Sequence, residues 1–167
     1  FKDLWAFIKN EDGHIHLQID EVLAELHHLK DHKNIDNNLD EAYPFVLMAG
    51  ERRSYNANQI FRNPEWRKVD KQGAMKMHPD DAHNLNVMSG DTLTCKSETG
   101  QLDVVVEVDD SVRQGVVTLP HGYGMRYQNG EALGPALNML TSGKHCDPFS
   151  KTPYHKFVPV HLEKVAS

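Results

Sequence analysis

Three loops in the second half of the chain combine short polar side chains with glycine or proline. They present His121 after a Leu-Pro pair, Asn138 within Ala-Leu-Asn-Met-Leu-Thr, and the pair His155 and Lys156 after Thr-Pro-Tyr. The glycines that flank His121 and Tyr123 are expected to expose both rings at the mouth of a strand. An amide donates and accepts hydrogen bonds, and an ammonium group binds phosphate oxygens. We therefore expect these loops to close together over one large, polar, phosphate-bearing ligand.

An earlier loop, residues 50–58, has the same character and carries more positive charge. The apolar run of residues 45–49 ends at a glycine, and the loop that follows contains two arginines, a serine and two asparagines. Glycine lets the main chain approach a ligand closely, and each guanidinium can bind two phosphate oxygens. The candidate binding residues in this loop are Gly50, Arg52, Arg53, Ser54 and Asn56.

Each candidate also has an ordinary explanation when it is considered alone. The arginines could pair with Glu51 and Glu65 in a solvated loop, and His121 could be a solvated loop histidine. Asn138 could cap a turn, and Lys156 could be a surface lysine. Only their combination on successive loops favours a shared binding site.

The net charge of −6 is concentrated at the start of the 167-residue chain. Residues 1–41 hold 10 acidic and 4 basic side chains, whereas residues 42–167 hold 14 of each. Within this neutral part, residues 51–68 hold 5 basic and 2 acidic side chains, which gives a local charge of +3. Nucleic acid binding needs a broader basic surface, but a compact pyrophosphate does not. We therefore expect no nucleic-acid partner.

Signals for membrane insertion or secretion are not apparent in the sequence. No apolar run approaches the roughly 20 residues that span a bilayer, and no basic start precedes an apolar stretch. These features predict a cytoplasmic protein without a membrane span. The chain opens on Phe1 rather than on methionine, so we expect it to be a piece of a longer protein.

The apolar periodicity predicts two parts, a helical segment over residues 1–42 and a β-rich domain over residues 43–167. In the first part Asp20 can cap a helix with an apolar stripe, and we interpret this part as a connector from a preceding domain. The second part has one short helix beginning at Pro79, because proline is favoured at the first helical position. Its short strands and glycine-bearing turns favour a small barrel. The predicted strands cover residues 45–49, 91–97, 102–108, 116–119 and 157–162.

No motif for catalysis or metal binding stands out. Two cysteines cannot supply four ligands to an iron–sulfur cluster, and Cys95, in a strand-like run, is expected to be a small core residue. The chain has no Gly-x-Ser-x-Gly, no Walker phosphate loop and no Gly-x-Gly-x-x-Gly before a helix. Histidine pairs such as His14 and His16 have no recognisable third ligand, so we expect no metal site.

In their order along the chain, five segments resemble the C-terminal molybdopterin-dinucleotide-binding domain of molybdopterin oxidoreductases, particularly formate-dehydrogenase-like catalytic subunits. The resemblance extends over residues 44–165, about three-quarters of the chain. Each segment alone is a weak signal, but the set in this order is specific. The segments are residues 45–58, 78–91, 115–122, 138–141 and 152–156.

The resemblance implies a fold and a set of binding residues. The family's domain is a six-stranded double-psi β-barrel of the aspartate-decarboxylase-like type, which closes over two molybdopterin guanine dinucleotides. Here an N-terminal helical extension would precede the barrel. The resemblance places the residues of the 50–58 loop in the first cofactor loop. It places the later candidates near the pterin or its pyrophosphate: His121, Asn138, His155 and Lys156.

The chain departs from the family's pattern at two places in the first loop. Many relatives place arginine directly after the glycine, where this chain has Glu51 before its arginine pair. Many also have a histidine–aromatic pair further on, where Tyr55 and Asn56 stand. The register of the first loop is therefore open by one or two residues.

The resemblance also implies what the rest of such an enzyme would contain. Molybdenum or tungsten would be bound by the full-length enzyme, and any iron–sulfur cluster would lie elsewhere in the parent chain. The implied partners are the preceding domains of the same polypeptide and an electron-transfer subunit. The isolated fragment is expected to be catalytically inactive, because metal and pterin carry the redox chemistry.

Two other functions compete with this one. A non-catalytic interaction module could dock through the acidic N-terminal helix. A pyruvoyl-dependent aspartate decarboxylase on the same barrel would need to cleave itself at a Gly-Ser bond, and the chain contains no Gly-Ser dipeptide.

Overall fold

The computed structural model describes residues 3–28, 39–51, 66, 70 and 72–165. The chain divides into two compact units, residues 1–38 and residues 39–167. The described part of the first unit has a short 3-10 helix, Leu4–Phe7, and the helix α1, Asp20–His28. The predicted N-terminal helix is therefore present and begins at Asp20. No helix among the described residues is both long and apolar enough to cross a membrane.

The second unit is built from short strands with few helices. The helix α2 spans Pro79–Asn84, and a second 3-10 helix spans Leu137–Met139. The strands are β1 (Phe45–Glu51), β2 (Met75–Met77), β3 (Thr92–Lys96), β4 (Gln101–Val108), β5 (Val116–Pro120) and β6 (Val158–Lys164).

These strands form a closed barrel in the order β1-β5-β2-β4-β3-β6. Strand β1 runs parallel to β5 and β2 runs parallel to β4, whereas the other neighbours are antiparallel. The barrel has two halves, β1–β3 and β4–β6, which interleave. Each strand of the first half has the same kinds of neighbours as the corresponding strand of the second half, so a pseudo-two-fold axis relates the halves. The fold is a six-stranded double-psi β-barrel, which confirms the predicted fold class.

The strand directions place three connections at one end of the barrel. Strands β1, β3 and β5 all end at the same end of the barrel, and β2, β4 and β6 begin at that end. The connections after β1, β3 and β5 therefore lie at this one end. We call this end the loop rim, and its described residues are 66, 70, 72–74, 97–100 and 121–157. The described candidate binding residues lie in these connections or at the end of β1, namely Gly50, His121, Asn138, His155 and Lys156.

The core follows from strand alternation, since every second side chain points inward. Leu140, in the loop rim, is also fully buried and closes that end of the barrel. The continuous apolar run of residues 45–49 favours a strand buried on both faces, but this prediction is wrong at Met48, whose residue surface is 41% exposed. The inward-facing strand residues are Leu47, Ala49, Met75, Met77, Leu93, Cys95, Val104, Val106, Val117, Leu119, Val160 and Leu162.

The opposite end of the barrel is fixed by α2. The helix begins at Pro79 as predicted, and His78 caps it by accepting a hydrogen bond at Nδ1 from the amide of Asp80. The buried carboxylate of Asp81 accepts a 2.7 Å hydrogen bond from the amide of Gly115. The carbonyl of Gly115 in turn accepts from the amide of Val46 at 3.0 Å, so α2 is tied to the start of β1.

Cys95 lies in the core as predicted, and burial raises the pKa of its thiol to about 12. Because the thiolate is the reactive form, we expect iodoacetamide at pH 8 to leave Cys95 unmodified in the folded protein. The half-buried Cys146 should be alkylated at the same time. Peptide mass spectrometry measures both sites. Equal alkylation of the two cysteines before unfolding would contradict this expectation.

Candidate ligand-binding site

The site is centred on Gly50, where β1 ends at the loop rim. Gly50 is buried and has a φ of +80°, a conformation that glycine adopts without the steric penalty of a side chain. A Cβ added at Gly50 would lie 2.2 Å from Cε1 and 2.3 Å from Nε2 of His121. The imidazole of His121 therefore occupies the space that a side chain at position 50 would take.

Two hydrogen bonds to Glu51 join β5 and the residue that follows it to the end of β1. The amide of His121 donates to the carbonyl of Glu51 at 3.3 Å, just beyond the point where β1 and β5 shift register. The Oγ1 of Thr118 donates to the carboxylate of Glu51 at 2.6 Å. Thr118 was not among the sequence candidates. One feature of the sequence could have identified Thr118, because it is a polar residue inside the apolar strand Val-Val-Thr-Leu, two positions before Pro120.

The end of the long β5–β6 loop is attached to the same point. The Nζ of Lys156 donates to the carbonyl oxygens of Ala49 and Gly50 at 2.8 and 3.0 Å. The carbonyl of His155, whose residue surface is half-buried, accepts a 2.8 Å bond from the amide of Ala49. The structure therefore brings together four of the sequence candidates, namely Gly50, His121, His155 and Lys156.

Asn138 lies at the loop rim but outside this cluster. It is exposed on the 3-10 helix Leu137–Met139, which lies beside the β3–β4 turn. A Cβ added at Gly100 in that turn would lie 2.7 Å from the carbonyl oxygen of Met139. The buried Leu140 anchors this segment in the barrel.

Tyr123 differs from the expectation that its ring is exposed. The residue is only 9% exposed, and its ring packs against Gly73 and Gly134, where added Cβ atoms would lie 2.8 and 2.5 Å from ring carbons. Its hydroxyl donates to the carbonyl of Asp70. The glycines make room for the ring within the protein rather than presenting it to a ligand. Tyr123 thus connects the β1–β2 and β5–β6 loops.

The remaining candidates from the first loop fall outside the described residues. Their assignment stays a prediction from the sequence. These residues are Arg52, Arg53, Ser54 and Asn56.

The described residues of the rim suit an anionic heterocyclic ligand better than a metal ion. Among residues that the structure describes, no group of three His, Cys, Asp or Glu could hold a metal. The cluster brings the positive charge of Lys156 and the imidazole of His121 to the end of β1, where a cation and a ring face suit an anionic heterocycle. This donor set fits binding and orientation of a dinucleotide cofactor.

Residues 45–159 match the sequence profile of one family, described as "Molydopterin dinucleotide binding domain". This match covers the barrel from β1 to the start of β6, including every described residue of the cluster. The chain belongs to this family, and the resemblance inferred from the sequence is confirmed.

Two curated relatives are similar to this protein over most of the chain. "F420-dependent formate dehydrogenase 2 subunit alpha" of Methanococcus maripaludis is 28% identical over 81% of this chain and 19% of the relative. Acetylene hydratase of Syntrophotalea acetylenica is 27% identical over 67% of this chain and 15% of the relative. The chain thus spans a fifth or less of the length of these proteins.

One solved structure is similar to this protein in its fold. The structure of acetylene hydratase from Pelobacter acetylenicus superposes on 91% of this chain and 21% of its own, with a TM-score of 0.61 and 20% sequence identity. At this level of identity the likeness concerns the fold.

Proposed function

We propose that this domain binds molybdopterin guanine dinucleotide at the loop rim, as the C-terminal domain of a formate-dehydrogenase-like molybdopterin oxidoreductase. The observation that carries the proposal is the convergence of Gly50, His121 and Lys156 at one strand end, inside the segment that matches the family. The similarity to a formate dehydrogenase subunit supports the choice of parent enzyme.

The described residues would bind and orient the cofactor rather than transform it. The imidazole of His121, seated against the bare main chain of Gly50, would present a ring face to the ligand. The exposed amide of Asn138 can pair with the edge of a heterocycle. His155 and Lys156 would lie beside the ligand at the end of β1. From the sequence, Arg52, Arg53, Ser54 and Asn56 would contact phosphate. When bound, the cofactor's molybdenum or tungsten supplies the redox chemistry.

The proposal extends to the surroundings of the domain in the parent protein. Residues 1–42 would connect the barrel, residues 43–167, to preceding domains that carry the metal ligand and any iron–sulfur cluster. An electron-transfer subunit would accept the electrons, in the cytoplasm. The domain alone would be inactive, because a dinucleotide held by several domains needs all of them around it.

Replacing His121 with Ala should weaken cofactor retention by the full-length protein. Loss of one ligand contact costs about 1–3 kcal/mol, so release of pterin should be roughly tenfold faster or more. Release is followed by the fluorescence of oxidised pterin in the filtrate of purified enzyme. Hydrolysis of the retained cofactor should yield guanosine monophosphate.

The matched control is His83→Ala, since His83 is exposed on α2 at the opposite end of the barrel. Its release rate should equal that of the wild type. A wild-type protein purified without pterin, or a different nucleotide in the hydrolysate, would refute the proposed cofactor. Equal release from both histidine variants would refute the role of His121.

A further inference from the structure

The ammonium group of Lys156 already has main-chain acceptors for two of its three N–H donors. Those acceptors are the carbonyl oxygens of two consecutive residues, Ala49 and Gly50, at 2.8 and 3.0 Å. A lysine that waits for phosphate would need its donors directed to the ligand. Here most of the donor capacity is directed to the protein itself.

Two consecutive carbonyls do not face one group in a regular strand, where the ladder bonds of neighbouring residues point to opposite sides. They do so here because Gly50 has a φ of +80° and the β1–β5 register shifts between Ala49 and Glu51. The bonds from Lys156 and the left-handed conformation of Gly50 therefore depend on each other. That same conformation leaves the space in which His121 lies.

We propose that Lys156 is a positioning residue, which holds the end of β1 in the conformation that seats His121 before any ligand binds. The role rests on the proposed function of the loop rim as a cofactor site. It differs from a direct phosphate ligand, because the ammonium acts through the main chain of Ala49 and Gly50. The remaining N–H leaves room for one further contact at most.

The first test uses hydrogen exchange of the full-length protein purified from cells that make no pterin. In Lys156→Met, exchange of the peptide covering residues 45–51 should be roughly tenfold faster than in wild type, because two charge-assisted bonds are lost. The hairpin peptide, residues 92–108, should keep its wild-type rate. Lys144→Met is the matched control, since Lys144 is an exposed lysine of the same loop, and it should exchange as wild type.

Two results of this test would overturn the proposal. One is unchanged exchange of residues 45–51 in Lys156→Met. The other is faster exchange of residues 92–108 to the same degree, which would indicate general destabilisation of the barrel.

The second test needs no variant and so remains decisive if Lys156→Met does not fold. The pterin-free wild-type protein is treated briefly with an amine-acylating reagent, and modification is quantified by peptide mass spectrometry. Lys156 should react roughly fivefold or more slowly than Lys144, because its nitrogen is engaged by two carbonyls. Equal rates would show a free amine and overturn the proposal.

Failure of this inference is distinguishable from failure of the proposed function. Both measurements are made without cofactor, so a full-length protein that proves to bind no pterin would refute the cofactor proposal alone. Conversely, pterin binding with a freely reactive Lys156 would refute the positioning role alone.

Discussion

Gly50→Ala is expected to release the pterin cofactor from the full-length protein on the order of 100-fold faster than wild type. The new Cβ would lie 2.2 Å from the imidazole of His121, so that ring must leave its place. The left-handed φ of +80° adds strain of about 1–2 kcal/mol, which favours a shift of the main chain as well. Loss of the His121 contact with the ligand should cost about 1–3 kcal/mol more.

The control for Gly50→Ala is Gly115→Ala at the opposite end of the barrel. Gly115 has a φ of +76°, but a Cβ there meets nothing within 4 Å. This variant carries the same backbone strain without the collision, so pterin release should stay at the wild-type rate. Equal acceleration in the two variants would show that backbone strain, and not the contact with His121, is responsible.

A double variant tests the collision directly. If the methyl group introduced by Gly50→Ala acts by displacing the imidazole of His121, removing that imidazole should relieve part of the effect. Gly50→Ala combined with His121→Ala should therefore release pterin more slowly than the sum of the two single effects predicts. Strict additivity would mean that the two residues act independently.

Much of the barrel can be predicted from the sequence because its strands alternate clearly. The side chains of Val104 and Val106 point into the core, whereas the polar residues Asp103 and Glu107 that flank this segment are not buried. Strand β2 was missed, since Met75–Met77 is only three residues long and alternation needs more positions to be recognised. Its existence depends on pairing with β4 and β5, which lie far away in the sequence.

The candidate site was predicted in composition but not in its contacts. Residues after strand ends, such as His121 and Lys156, could be expected on one rim because connections after β1 and β5 must meet there. The sequence does not reveal that Lys156 bonds to main-chain carbonyls, since that depends on the φ of Gly50. It also suggested an exposed Tyr123, because a glycine next to an aromatic ring can either present the ring or make room for it.

Gly124→Ala is expected to loosen the whole β5–β6 loop. Gly124 has a φ of +75°, and an added Cβ would lie 2.4 Å from Cα and 2.6 Å from the amide nitrogen of Ala136. Main-chain atoms cannot turn aside as a flexible side chain can, so the segment up to the 3-10 helix Leu137–Met139 must move. Backbone strain of about 1–2 kcal/mol and overpacking of about 1–3 kcal/mol should add.

The measurement is hydrogen exchange of the peptide covering residues 137–141, which contains the buried Leu140. A local cost of about 3 kcal/mol corresponds to exchange on the order of 100-fold faster in Gly124→Ala. Gly130→Ala is the matched control, because Gly130 has a φ of +81° in the same loop and an added Cβ meets nothing within 4 Å. If both variants exchange alike, the close approach of Gly124 to Ala136 does not hold the loop. If only Gly124→Ala is fast and also loses pterin, the loop that closes the barrel also shapes the binding rim.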